Sequence, residues 1–166
     1  MSSLDDLEDL FEDLSIDGPD KIQMFTMYGH YLKGIVNNPL VIKGITLTYN
    51  SNPSKHPVCR GKHQCFEHII TRASKHSGKR NFDRERANKI HWIRPILENV
   101  NDTRIKYFEA INDDNENQQF YWYEEMNFVV ILRELNPNLL LITSFSVDKE
   151  ERYGFKKKYD VYKNKA

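Results

Sequence analysis

The sequence predicts an α+β domain: two or more N-terminal helices packed on a three- to four-stranded antiparallel sheet, preceded by an acidic helical arm. Three observations predict it. Apolar residues recur mainly at helical spacing through the first hundred positions and at strand spacing from Arg104 onward. Turn-forming clusters at Asn50–Ser54, Asn112–Asn117 and Asn136–Asn138 separate the runs. With 166 residues, 39% hydrophobic and 12% aromatic, the chain can bury one core, and wholesale disorder is excluded.

Leu4, Leu7, Phe11 and Leu14 recur every three or four residues among acids, so residues 3–14 read as a short amphipathic helix ended by Gly18-Pro19. A second helix is expected over about 20–36, with Ile22, Phe25, Leu32 and Ile35 as its apolar side. A strand follows at Val41–Tyr49. Cys65, Phe66, Ile69, Ile70 and Ala73 make one stripe of a helix over about 61–76, with His68, Arg72, Lys75 and His76 on its other face. Asp83 caps the next helix, which turns Ala87, Ile90, Ile93 and Leu97 inward and is kinked or restarted at Pro95. Arg104–Ile111 alternates. Phe120–Leu135 is too long for one straight strand and should break near Glu124–Asn127, and Leu139–Val147 returns beside it through Asn136-Pro137-Asn138. Three stretches result: the arm at 1–20, a helix and strand leading to a linker at 21–54, and the main domain at 55–166.

The net charge of zero hides a division. Residues 1–20 carry eight acids and no base, whereas residues 55–94 carry eleven Lys/Arg against three acids, together with five of the six histidines. A cationic segment rich in imidazole points to a polyanion, with nucleic acid first. No apolar run approaches the length of a membrane span, the acidic N-terminus lacks a secretory pattern, and two cysteines give no disulfide framework, so a cytoplasmic protein without membrane partners is expected.

Two chemistries fit the segment. His56, Cys59, Cys65 and His68 are zinc-type donors, although the two pairs stand closer than in usual fingers and Cys65 falls on the apolar stripe. The other is RNA cleavage without a metal or other cofactor, which needs a base for the 2′-hydroxyl, an acid for the leaving 5′-oxygen and cations for the phosphorane. His68 and His91 are the base and acid candidates, in either order. Arg94 and Thr143 would hold the phosphate, with Ser144 the alternative because neighbouring strand residues face opposite ways. Arg72, Arg84, Arg86 and Lys89 are candidates to bind the RNA backbone, and Tyr121 in the run Phe120–Tyr123 is a base-stacking candidate. The bland reading of that run is a core strand. The same basic face could instead grip nucleic acid without cutting it, as a binding or regulatory protein.

Phe66-Glu67-His68-Ile69-Ile70-Thr71-Arg72, Phe82-Asp83-Arg84-Glu85-Arg86-Ala87, Ile90-His91-Trp92-Ile93-Arg94-Pro95 and the late strand Leu141-Ile142-Thr143-Ser144-Phe145 resemble a phage- and mobile-element-associated nuclease group of the barnase–EndoU–colicin E5/D–RelE-like (BECR) superfamily. The resemblance covers about 56–160. It implies two helices on a curved antiparallel sheet, a metal-independent ribonuclease of toxin or phage-defence type, RNA (tRNA among the candidates) as substrate, and an antitoxin or inhibitor as partner. By position it places the helix histidine at His68, the second-helix basic residues at Arg84, His91 and Arg94, and the strand hydroxyl at Thr143. The acidic arm is expected to dock on the basic face in cis, restraining activity, or in trans on a partner; otherwise it is a solubility tail.

Overall fold

The computed structural model describes residues 3–165. Helix α1, Lys21–Tyr31, begins with a reciprocal cap: the Asp20 carboxylate accepts the Gln23 N–H at 2.7 Å, and Gln23 Oε1 accepts the Asp20 N–H at 3.0 Å. It continues into a π turn at Leu32–Val36. The buried stripe is Gln23, Met27, Tyr31 and Ile35, spaced by four. Ile22 and Phe25, expected on the apolar side, are instead exposed, because the helix rotates to bury the larger surface of Met27 and Tyr31.

The expected strand at 41–49 is two strands, β1 (Val41–Ile42) and β2 (Ile45–Thr48), joined through Lys43 and Gly44 at φ 52° and 82°. Two successive left-handed residues make a tight hairpin turn.

Helix α2 spans Gln64–Ile70 and stops short of the expected end at 76. After the β-branched pair Ile69-Ile70 the backbone turns extended at Thr71, whose hydroxyl donates to the Glu67 carbonyl at 2.6 Å, satisfying an end-of-helix acceptor. Thr71–Ala73 (β3) then pairs antiparallel with Arg80–Phe82 (β4). Ala73 therefore leaves the apolar stripe for an exposed hairpin, and Arg72, Lys75 and His76 do not share a helix face with His68.

Asp83 caps α3 (Arg84–Ala87) through the Arg86 N–H at 3.1 Å. A 3-10 turn, Ile90–Trp92, leads into α4 (Ile93–Glu98). Pro95 is the third residue of α4, where an N–H would have no intrahelical acceptor, so the helix restarts ahead of it. Ala87, Ile90, Ile93 and Leu97 are buried as expected.

Strands β5 (Ile105–Ile111), β6 (Asn117–Tyr123), β7 (Phe128–Leu135) and β8 (Asn138–Ser146) form an antiparallel meander. The anticipated break falls at a 3-10 turn, Glu124–Met126, followed by left-handed Asn127 at φ 52°. The sheet is larger than expected. Its order is β1-β2-β8-β7-β6-β5, six strands, with β2 parallel to β8 through Leu47↔Leu139 and Thr48↔Leu140. The Thr48 hydroxyl reinforces that join by donating to the Leu139 carbonyl at 2.8 Å.

Tyr121, Tyr123, Phe128 and Val130 face a core shared with α1, α2 and α4, while Phe108, Phe120, Trp122 and Val129 face Phe155 of α5 (Lys149–Lys165). Tyr121 is 1% exposed and donates its hydroxyl to Gln119 Oε1 at 2.8 Å. It is a core residue and cannot stack a base, which corrects that assignment.

The arm is not the expected helix. Residues 3–18 form a strap of turns and bends. The Trp92 indole N–H donates to the Glu8 carbonyl at 2.9 Å, and Leu10 and Phe11 N–H groups bond the Asn88 carbonyl and side-chain oxygen, each at 3.0 Å. Asp9 pairs with Lys89 at 2.9 Å and Asp5 with Arg104 at 2.8 Å. Acids four apart without intervening cations repel in a helix, whereas the docked strap gives them partners and buries Leu4 and Leu14. Core residues thus come from all three stretches, 1–20, 21–54 and 55–166.

Candidate functional site

Where α2 ends, three elements meet beneath His68. Arg86 Nη1 donates to the Thr71 carbonyl (2.9 Å), the His68 carbonyl (3.3 Å) and Thr143 Oγ1 (3.2 Å), and the Thr143 hydroxyl donates to the His68 carbonyl (2.7 Å). The guanidinium also lies 4.9 Å from the centre of the Phe145 ring. Burial brings Arg86 down to about 10, so it stays charged at neutral pH. Arg86 is therefore a buried clamp joining α2, β3 and β8, rather than a free contact for an RNA backbone. Ser144 is fully buried with its hydroxyl unpartnered, so Thr143 is the strand hydroxyl at this junction.

Above the clamp, the His68 side chain is 47% exposed at one end of a cleft of about 510 Å³ lined also by Lys55, His56, Glu67, Lys79 and Arg80. Arg80 donates from Nε to Thr71 Oγ1 (2.8 Å) and from Nη2 to the Thr71 carbonyl (2.9 Å), and its Nε lies 3.8 Å from Glu67 Oε2. Glu67 also accepts the Ser54 hydroxyl at 2.6 Å and stands 3.9 Å from His68 Nε2. Burial first, then Arg80, lowers the His68 pKa below the ordinary imidazole value, against the pull of Glu67. At neutral pH His68 is an uncharged, accessible imidazole among cations, the state a general base needs. His56 accepts the Val58 N–H on Nδ1 (3.1 Å), which puts its proton on Nε2, donated to the Arg80 carbonyl (2.8 Å).

The other expected site residues go elsewhere. His91 lies in a separate cleft of about 500 Å³ with His30, ring centres 5.6 Å apart, and its buried Nδ1 has no hydrogen-bond partner. Arg94 shares that cleft but donates from Nη1 to the carbonyls of Gly34 (2.9 Å) and Asn38 (2.7 Å), holding the π turn to α4. Lys89 is taken by Asp9. Arg72 and Arg84 line a third cleft, of about 580 Å³, beside the β3–β4 hairpin. The structure thus gathers His68, Arg86 and Thr143 and leaves His91, Arg94 and Lys89 apart from them. Arg80 and Glu67 join the site without a sequence signal of their own: Arg80 through the β3–β4 register, which puts it opposite Ala73, and Glu67 from α2, beside His68.

The zinc set does not converge. Among the described residues, no group of three or more His, Cys, Asp or Glu side chains is arranged to hold a metal ion. Cys59 Sγ donates to Ser54 Oγ (3.6 Å) and Cys65 Sγ to the Leu141 carbonyl (3.8 Å). Burial raises both thiols, Cys65 to about 12, so both remain protonated.

Comparison with family models, curated proteins and solved structures gives no match for this chain. Among the described residues, no helix is long and apolar enough to cross a membrane.

The imidazoles also set an acid limit on stability. His30, His68 and His91 are all lowered, in each case first by burial. The unfolded chain then binds more protons than the folded one once pH falls below about 6.5, so the stabilisation present above that pH is lost as pH drops through the folded values. Urea midpoints should fall between pH 7.5 and pH 5.5. A midpoint constant over that range would show that the three rings titrate normally.

Proposed function

We propose that this chain is a metal-independent endoribonuclease acting at the His68 cleft, of the toxin or phage-defence type that its sequence motifs resemble. The observation that carries the reading is a neutral, half-exposed imidazole held in one cleft with the cations Lys55, Lys79 and Arg80. His68 takes the proton of a 2′-hydroxyl as that oxygen attacks phosphorus. The lysines and Arg80 oppose the charge that builds on the phosphorane oxygens. The P–O5′ bond then breaks, the imidazolium returns its proton to the departing 5′-oxygen, and a 2′,3′-cyclic phosphate and a 5′-hydroxyl remain. One imidazole serves both steps because His91 lines a different cleft.

That separation favours a second reading, in which the same cations bind nucleic acid without cleavage. Incubation of RNA with the protein in EDTA, followed by analysis of product ends, separates the two. Cyclic-phosphate and 5′-hydroxyl ends are expected; intact RNA that is bound in a salt-sensitive way selects the binding protein. The pH dependence is a further check. With the His68 pKa lowered, the base-requiring limb should lie below about 6.5 and the rate should have levelled by neutral pH. A rate still rising tenfold per pH unit between 7 and 8 would assign the base to another group.

A further inference from the structure

The β3–β4 hairpin divides the cationic surface into two tracks. Residues 71–82 hold four Lys/Arg and no acid. Arg72 stands opposite Asn81 and Ala73 opposite Arg80. Cross-strand partners share a face and neighbours along a strand alternate, so Arg72 and Arg80 belong to opposite faces of the ribbon. Arg80 accordingly lines the cleft at His68, which Lys79, in the turn just before β4, lines as well, whereas Arg72, Lys75 and Arg84 line the cleft of about 580 Å³. Asp83 and Glu85 also line the second cleft, but Asp83 is engaged with Arg86 and caps α3. Except at Ser74, which is half-buried, residues 72–79 are exposed, so the ribbon stands clear of the core between its two clefts.

Proteins that hold unpaired strands rely on exposed aromatic rings for stacking. Here Phe120, Tyr121, Trp122 and Tyr123 are all buried. Apart from histidines and the half-buried Phe82, the residues lining the two clefts are not aromatic. Cations on both sides of a narrow two-stranded ribbon suit phosphates on both sides of it. The wide, shallow groove of an A-form helix offers that arrangement and is recognised by shape, 2′-hydroxyls and phosphates.

We infer that the β3–β4 hairpin lies between the two phosphate rails of base-paired RNA, so that the substrate class is a stem or stem-loop rather than an unpaired strand. This rests on the proposed action at the His68 cleft and narrows its substrate. The test measures binding of the full chain to a hairpin RNA of about 16 base pairs, the span of a double-strand-binding module, and to an unstructured RNA with the same number of nucleotides. The stem should bind about tenfold more tightly at low salt, as expected for further phosphate contacts. Lys79→Ala in one cleft and Arg84→Ala in the other should each weaken stem binding and lower the salt slope by about 1, with effects that add in the double variant. Equal or tighter binding of the unpaired RNA, or an unchanged slope in either variant, overturns the inference. If unpaired RNA is preferred and still cut at His68, the proposed function stands and only the substrate class fails. If neither RNA binds, both fail.

Discussion

Arg86→Ala should destabilise the fold by about 1.5–3 kcal/mol, the usual range for losing hydrogen bonds from a buried charged group. The guanidinium is 9% exposed and satisfies the carbonyls of His68 and Thr71 together with the Thr143 hydroxyl, while its Nε stands 3.7 Å from Asp83. Removing it leaves the Thr71 carbonyl with Arg80 alone, the His68 carbonyl with the Thr143 hydroxyl alone, and the Asp83 carboxylate without its cation. The end of α2 is then tied to β8 through the Thr143 hydroxyl alone, so His68 should be held less firmly. Arg86→Lys keeps the charge but not the planar fork, and should recover only part of the loss. Urea unfolding at pH 7.5 gives the comparison. A midpoint within error of wild type for Arg86→Ala would mean that the clamp contributes nothing.

Truncation of the N-terminal strap should be at least as damaging. Leu4 and Leu14 are 4% and 3% exposed within the main core, and each Leu→Ala change at such a site costs about 2–5 kcal/mol. Deleting residues 1–14 removes both, together with the strap's bonds to Asn88, Trp92, Lys89 and Arg104. The exposed ion pairs Asp9–Lys89 and Asp5–Arg104 add little and are screened by salt, whereas apolar burial is not. The truncated chain should therefore melt well below wild type at both low and high ionic strength. A deficit confined to low salt would show that the ion pairs alone hold the strap. Among the described residues, none of the strap lines the His68 cleft, whereas Ile16 lines the cleft that holds Arg72 and Arg84, so the strap braces the fold without covering His68.

The sequence made local punctuation legible and hid long-range pairing. The Asp83 cap, the break at Glu124–Asn127 and the return at Asn136-Pro137-Asn138 all follow from side chains acting within a few residues of their own backbone. The parallel β2–β8 join depends on Leu47 and Thr48 meeting Leu139 and Leu140 some ninety residues later, which no local period records. Apolar spacing failed in two instructive places. In the strap, leucines at helical intervals are buried by an irregular backbone, because Asn88 and Trp92 supply the hydrogen bonds that a helix would otherwise have to make. After Ile70, the stripe through Ala73 suggested more helix, but β-branching and the Thr71 hydroxyl ended it.

The site was legible in the same proportion. His68 and Thr143 meet at one junction, through the His68 backbone carbonyl rather than its ring. Arg86 was visible as a cation but not as a buried one, since burial is decided by β8 and β3 closing over it. His91 and Arg94 share a face with the π turn of α1, a segment whose position no motif around them could indicate. Arg80 entered the His68 cleft only once the hairpin register was known.

The exposed ring of His68 can be removed without disturbing the carbonyl that ties α2 to β8. The most direct measurement is cleavage of RNA in EDTA by wild type and by His68→Ala, with unfolding midpoints recorded for both. Wild type should leave 2′,3′-cyclic phosphate ends, and His68→Ala should keep its fold and its RNA binding but lose cleavage by a factor of about 10²–10⁴, the usual contribution of a general acid–base group. Undiminished cleavage by a folded His68→Ala protein, or RNA left intact by wild type, would contradict the proposed function.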